Sequence, residues 1–95
     1  MFVLLFQDGS NLEFGSIAKG EISSTDNISE TISFSKTHSD PPKTIILSYS
    51  TFGYFYGELH VEINSETKNG FKCRYIPIEI GNGKGQLVIY WAAFW

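Results

Sequence analysis

Apolar and polar residues alternate with a period of two through most of the chain, and no stretch sustains the period of an amphipathic helix. Ile28 to Ser35 shows this well. Ile28, Ile32 and Phe34 fall on one face, with Glu30 interrupting, while Ser29, Thr31, Ser33 and Ser35 fall on the other. That is the pattern of an antiparallel sheet with one wet face. Lys43 to Thr51 sets Ile45, Leu47 and Tyr49 against Thr44, Ile46 and Ser48. Leu59, Val61 and Ile63 alternate with His60, Glu62 and Asn64, and Phe71, Cys73 and Tyr75 alternate with Lys72 and Arg74. A further strand is expected near Ser16 to Ser23, and the apolar run Phe2 to Phe6 reads as a first strand. Turn clusters separate these segments at Gln7 to Asn11 and at Ser24 to Asn27. Asp40-Pro41-Pro42 cannot join a ladder interior, Asn69-Gly70 signals a hairpin, and Gly81 to Gly85 reads as another hairpin tip.

The final segment is different. Leu87, Ile89, Trp91, Ala93 and Trp95 point one way, Val88, Tyr90, Ala92 and Phe94 the other, and both sets are apolar. A strand apolar on both faces is buried on both. A two-layer sandwich gives only one of those faces a core. The other is expected to meet a second subunit, through Tyr90, Phe94 and Trp95, or to be covered by the N-terminal strand. The whole pattern is that of an all-β protein, a small antiparallel β-sandwich of about six to eight strands. The expected organisation is one domain over residues 1–95, with residues 1–14 an extra N-terminal strand and residues 15–95 the core.

Composition narrows the function classes. A chain of 95 residues with 42% hydrophobic and 16% aromatic residues is a folded single domain, not a disordered segment. Its net charge of −3 lacks the cationic surface on which nucleic-acid affinity rests, so DNA and RNA are poor partners. Cys73 is the one cysteine, which leaves neither an internal disulfide nor a cysteine-rich metal site and reads as a small buried hydrophobe. The opening apolar run is too short for a secretory signal or a membrane span, so no membrane insertion is expected.

Candidate chemistry is thin. His38-Ser39-Asp40 holds the residue types of a nucleophilic relay, but neighbours on an extended chain point apart, so no catalytic residues are assigned. His60 and Glu62 share a strand face about 7 Å apart, but two ligands do not make a metal site. Gly81, Gly83 and Gly85 precede an aromatic strand, not the helix that a phosphate-cradling loop requires. No cofactor is expected. Phe52, Tyr54 and Tyr56 alternate, and such a platform can stack on sugar rings or serve the core.

The order of features from Gly20 onward carries a resemblance. An Ile32-Ser33-Phe34 strand is followed by Asp40-Pro41-Pro42 running into Thr44-Ile45-Ile46-Leu47-Ser48. Leu59 to Ile63 comes next, then Asn69-Gly70-Phe71, and the chain closes with Val88-Ile89-Tyr90-Trp91-Ala92-Ala93. In this order it resembles the H-type lectin domain and the related C-terminal domains of phage tail-fibre and baseplate proteins. The resemblance covers about three quarters of the chain. It implies a six-stranded sandwich that assembles as a trimer or a hexamer built from two trimers, with sugar sites at subunit interfaces. The chain departs from the family at sugar-contacting positions. Glu58 stands where the animal lectins place an Arg, and Ile78-Glu79 where they place Trp-His, while Asp26 corresponds to their first-loop acid.

The expected binding surface is therefore Asp26, Asn27, Phe52, Tyr54, Tyr56, Glu58, Tyr75 and Glu79, with a cell-surface glycan or polysaccharide as partner. The expected function is a non-catalytic, lectin-like host-recognition module, part of a virion or secreted. The alternative is a tail, baseplate or spike component that oligomerises without binding sugar.

Overall fold

The computed structural model describes residues 11–23, 26–52, 55–79 and 84–95, with Phe52, Phe55, Tyr56, Glu79 and Lys84 described in backbone only. The strand expected at Phe2 to Phe6 and the turn residues Ser24 and Thr25 lie outside these residues. Six strands follow in order: β1 (Leu12–Ser23), β2 (Ile28–Ser33), β3 (Thr44–Phe52), β4 (Phe55–Val61), β5 (Gly70–Glu79) and β6 (Lys84–Phe94). They form two three-stranded antiparallel sheets, β1-β6-β3 and β2-β5-β4. The expected all-β antiparallel class is the observed one, and the described residues contain no helix.

The period-two pattern explains why the sheets stack. Ile17, Ile22, Ile45, Leu47, Tyr49, Leu87, Ile89 and Trp91 enter the core from the first sheet, and Ile28, Ile32, Leu59, Val61, Phe71, Cys73 and Tyr75 from the second. Glu30, which interrupts the apolar face of β2, reaches across the open side of the sandwich to Lys19 at 2.9 Å. Lys19 can do this because β1 carries a bulge between Ala18 and Gly20, where φ is +69° at Gly20. A charged bulge on an edge strand also discourages sheet-to-sheet pairing with another chain.

Three expectations need correction. β1 begins at Leu12, four residues before the expected Ser16, and Glu13 lies in the interior. Ile63 is not a strand residue; it sits 90% exposed in the β4–β5 turn, beside Asn64 at φ 61°. No hairpin joins β5 to β6, because they belong to different sheets; of the expected tip, Gly81 to Gly83 lie outside the described residues and Lys84 and Gly85 open β6. β5 ends and β6 begins at one end of the sandwich, in different sheets. The connections β1–β2 and β3–β4 cross between the sheets at this same end of the sandwich.

The β4–β5 connection is the true hairpin, and its tightest turn runs from Thr67 to Gly70, with Thr67 N donating to Gly70 O. Gly70 follows the turn because a Cβ there would run into the Ile32 carbonyl.

Candidate functional site

The end where the three crossovers meet gathers most of the expected binding residues. Asp26 is exposed and closes the β1–β2 turn, its carboxylate accepting from Ser23 N (2.7 Å) while its own amide donates to Ser23 O (3.1 Å). Asn27 follows, exposed, and its Oδ1 accepts from Arg74 Nη1 at 3.5 Å. Glu58 is exposed on β4, opposite Ile76 of β5. Ile28 pairs with Tyr75, so Asn27, Ile76 and Glu58 form one row across the outer face of this sheet. The backbones of Phe52, Tyr56 and Glu79 come to the same end, Tyr56 opposite Ile78 and Glu79 opposite Phe55, but their side chains lie outside the described set, as does Tyr54 altogether.

Tyr75 must be removed from the expected surface. It is fully buried, with its ring edge-on to Tyr49 at 4.8 Å. Alternation along β5 turns Phe71, Cys73 and Tyr75 to the core and Lys72 and Arg74 to solvent, so Tyr75 is a core residue of this domain. Its hydroxyl finds no hydrogen-bond partner among the described residues, since Tyr49 Oη is engaged by Gly57, donating to its carbonyl (2.7 Å) and accepting from its amide (3.1 Å). Burial, with Tyr49 adding to it, pushes the Tyr75 phenol up to about 12. Cys73 is likewise inert: burial first, then Glu30 and Glu62, pushes its thiol up to about 11.

Arg74 is the residue the sequence reading passed over. Its Nη2 donates to Glu62 Oε1 (3.1 Å), and Ser29 Oγ donates to Glu62 Oε2 (3.1 Å). The bond from Arg74, then that from Ser29, holds the Glu62 carboxyl below its ordinary value. Asn27, Arg74, Glu62 and Ser29 thus form one hydrogen-bonded network linking strands β2 and β5 to the residue before β2 and the residue after β4, which fixes the Arg74 fork beside Asn27. The signal in the sequence was an outward Arg on a central strand, but its partners are 12 and 47 residues away along the chain. With Glu62 engaged, His60 and Glu62 do not form a ligand pair, and no group of three metal-ligating side chains occurs among the described residues.

The two outer faces differ sharply. The β2-β5-β4 face carries the Arg74 network with Lys72, His60 and Glu58. On the β1-β6-β3 face, Leu12, Phe14, Ser16 and Ala18 align with Phe94, Ala92, Tyr90 and Val88, and these with Thr44, Ile46, Ser48 and Ser50. None of these side chains is charged. Phe14, Ile46 and Tyr90 are 75%, 54% and 45% exposed, and Phe14 and Ile46 both lie opposite Ala92. Phe94 shares this face and Trp95 does not, since Trp95 turns the other way to pack on Phe34 and His38.

At the end opposite the crossovers, Glu13 is a buried carboxylate with four donors: Ser35 N (2.7 Å), Ser35 Oγ (3.0 Å), Lys36 N (3.1 Å) and His38 Nε2 (2.6 Å). Burial works to raise its pKa, but the bonds from His38, Ser35 and Lys36 outweigh it and hold the carboxyl below the ordinary value. His38 in turn stacks on Trp95, ring centroids 3.5 Å apart and 4° from parallel, and Trp95 Nε1 donates to the Asp40 carbonyl at 2.8 Å. The polar loop read at His38-Ser39-Asp40 is therefore anchored in the core.

Compared with known proteins, the chain matches no family model and no curated protein.

Proposed function

We propose that this chain is a non-catalytic, lectin-like recognition module that works as an oligomer, binding a cell-surface glycan at the crossover end and self-associating through the β1-β6-β3 face. One observation carries the reading: Asp26, Asn27 and Glu58, chosen from the sequence for sugar contact, come to one end of the sandwich beside a hydrogen-bonded Arg74. Carboxylates, an amide and a guanidinium at that end are groups that orient sugar hydroxyls, and the aromatic residue types that the sequence supplies between Phe52 and Tyr56 are ones that stack on sugar rings. A virion surface is the setting the family resemblance implies, and a trimer or hexamer would multiply weak single-site affinity.

The test is a glycan array that includes bacterial cell-wall polysaccharides, probed with the protein at multivalent density. Binding that free sugar competes away and that falls about tenfold in Arg74→Ala and Asn27→Ala supports the reading. A blank array from folded protein overturns it.

The second reading is a tail or spike component that oligomerises without binding sugar. The uncharged stretch of that outer face, from Leu12 to Ala18 and from Val88 to Phe94, favours it independently of the crossover end. A stable oligomer with a blank array is its expected signature.

A further inference from the structure

The end of the sandwich away from the crossovers holds a polar cleft that the proposed glycan site does not use. Trp95, His38, Asn11, Ser39, Asp40 and Lys43 line it. It sits where β1 and β3 begin and β6 ends, with Lys43 N donating to Phe94 O and Trp95 N to Asn11 O, so three strand termini form its floor.

Two features mark it as a built site. The first is the placement of Glu13, a charged group in the protein interior, where an unpaired carboxylate would be strongly unfavourable. All four of its donors come from the segment Ser35 to His38, so the carboxylate fixes the loop that walls the cleft. The second is His38. Its side chain is 6% exposed, and its Nε2 must carry the proton it donates to the ionised Glu13. Nδ1, the other ring nitrogen, makes no hydrogen bond among the described residues. A carboxylate thus orients a nearly buried imidazole whose second nitrogen is unused, on a ring that lines the cleft.

The rest of the lining selects the ligand class. The Trp95 indole supplies a rigid apolar surface, held in place by its stack on His38 and its bond to the Asp40 carbonyl. Asn11 and Ser39 offer neutral donors and acceptors. Asp40 disfavours an anion, and Lys43 disfavours a cation. We propose that this cleft is a second saccharide site, in which the apolar face of a neutral sugar lies against Trp95 and a sugar hydroxyl, able to donate or accept, hydrogen-bonds with His38 Nδ1. Two sites at opposite ends of one sandwich would let a single subunit engage two stretches of polysaccharide or two chains.

The experiment is a nuclear magnetic resonance titration of the isotope-labelled full chain with free glucose, galactose, mannose and N-acetylglucosamine. The indole N–H signals of Trp91 and Trp95 are told apart with Trp95→Phe. A saturable shift of the Trp95 indole signal with at least one sugar, weakened about tenfold in His38→Gln, is the expected result. His38→Gln keeps an N–H to meet Glu13 but removes Nδ1 and the ring stacked on Trp95, so its urea unfolding is matched to wild type before the titration is read. A Trp95 signal unmoved by all four sugars overturns the proposal, and so does a shift that His38→Gln leaves unchanged. Shifts confined to Asn27, Glu58 and Arg74 would also overturn it, while supporting the site at the crossover end.

Discussion

Glu13 shows how much one residue can organise. Replacing it with Ala leaves Ser35, Lys36 and His38 with donors that have lost their shared acceptor, and removal of one partner of a buried pair costs about 3 kcal/mol. Urea unfolding of Glu13→Ala should show a loss of that size. Its pH dependence has a definite sign. The folded pKa lies below the ordinary glutamate value, so the stabilisation is complete above that value, near 4.5, and is lost as pH falls through the lowered folded value. Glu62 shifts in the same direction, so the difference between wild type and Glu13→Gln across that acid range isolates the Glu13 contribution. A Glu13→Gln curve parallel to wild type would refute the assignment. Tyr75 predicts the opposite kind of result. Its buried hydroxyl lacks a partner among the described residues, so Tyr75→Phe should leave stability unchanged or raise it by about 1 kcal/mol in the same unfolding assay.

At the scale of the element, the strands depend on close approach as well as alternation. Gly57 of β4 lies over the Tyr75 ring, and a Cβ there would come within 2.5 Å of the Ile76 carbonyl and 2.6 Å of the Tyr75 ring. Backbone and a packed ring cannot both move aside, so Gly57→Ala should destabilise by about 2 kcal/mol, whereas Gly20→Ala meets no neighbouring atom and pays only for its positive φ. Thermal unfolding of the two variants side by side checks this ordering. Gly15 plays a similar part in β1, where the Trp91 indole lies 2.9 Å from a would-be Cβ and fills the space a side chain would take. Neither requirement shows in the hydropathy pattern, because it arises from a partner on another strand or across the core.

At the scale of the molecule, the two faces predict two kinds of behaviour. If the β1-β6-β3 face mediates self-association, Tyr90→Lys and Ile46→Asp should place desolvated charges in the interface and shift the protein toward its 10.7 kDa monomer, as read by light scattering. Lys72→Glu, on the opposite sheet, should leave the mass unchanged. A wild-type monomer at micromolar concentration would end the oligomer reading. The same comparison separates the two proposed functions, since a charged β1-β6-β3 face should weaken multivalent glycan binding without altering single-site affinity.

The strands were legible in the amino-acid order because side-chain alternation is a local property of extended backbone. Ile45, Leu47 and Tyr49 had to share a face whatever the topology, and Leu87 and Ile89 had to oppose Val88 and Tyr90. The uncharged second face of β6 was visible for the same reason. Tertiary structure alone decided which strands pair, and therefore that β5 and β6 lie in different sheets, that Tyr75 is core and that Arg74 stands beside Asn27. It alone joined Glu13 to His38, 25 residues away, because a buried charge is satisfied by whatever donors the fold brings to it, and no local pattern announces that meeting.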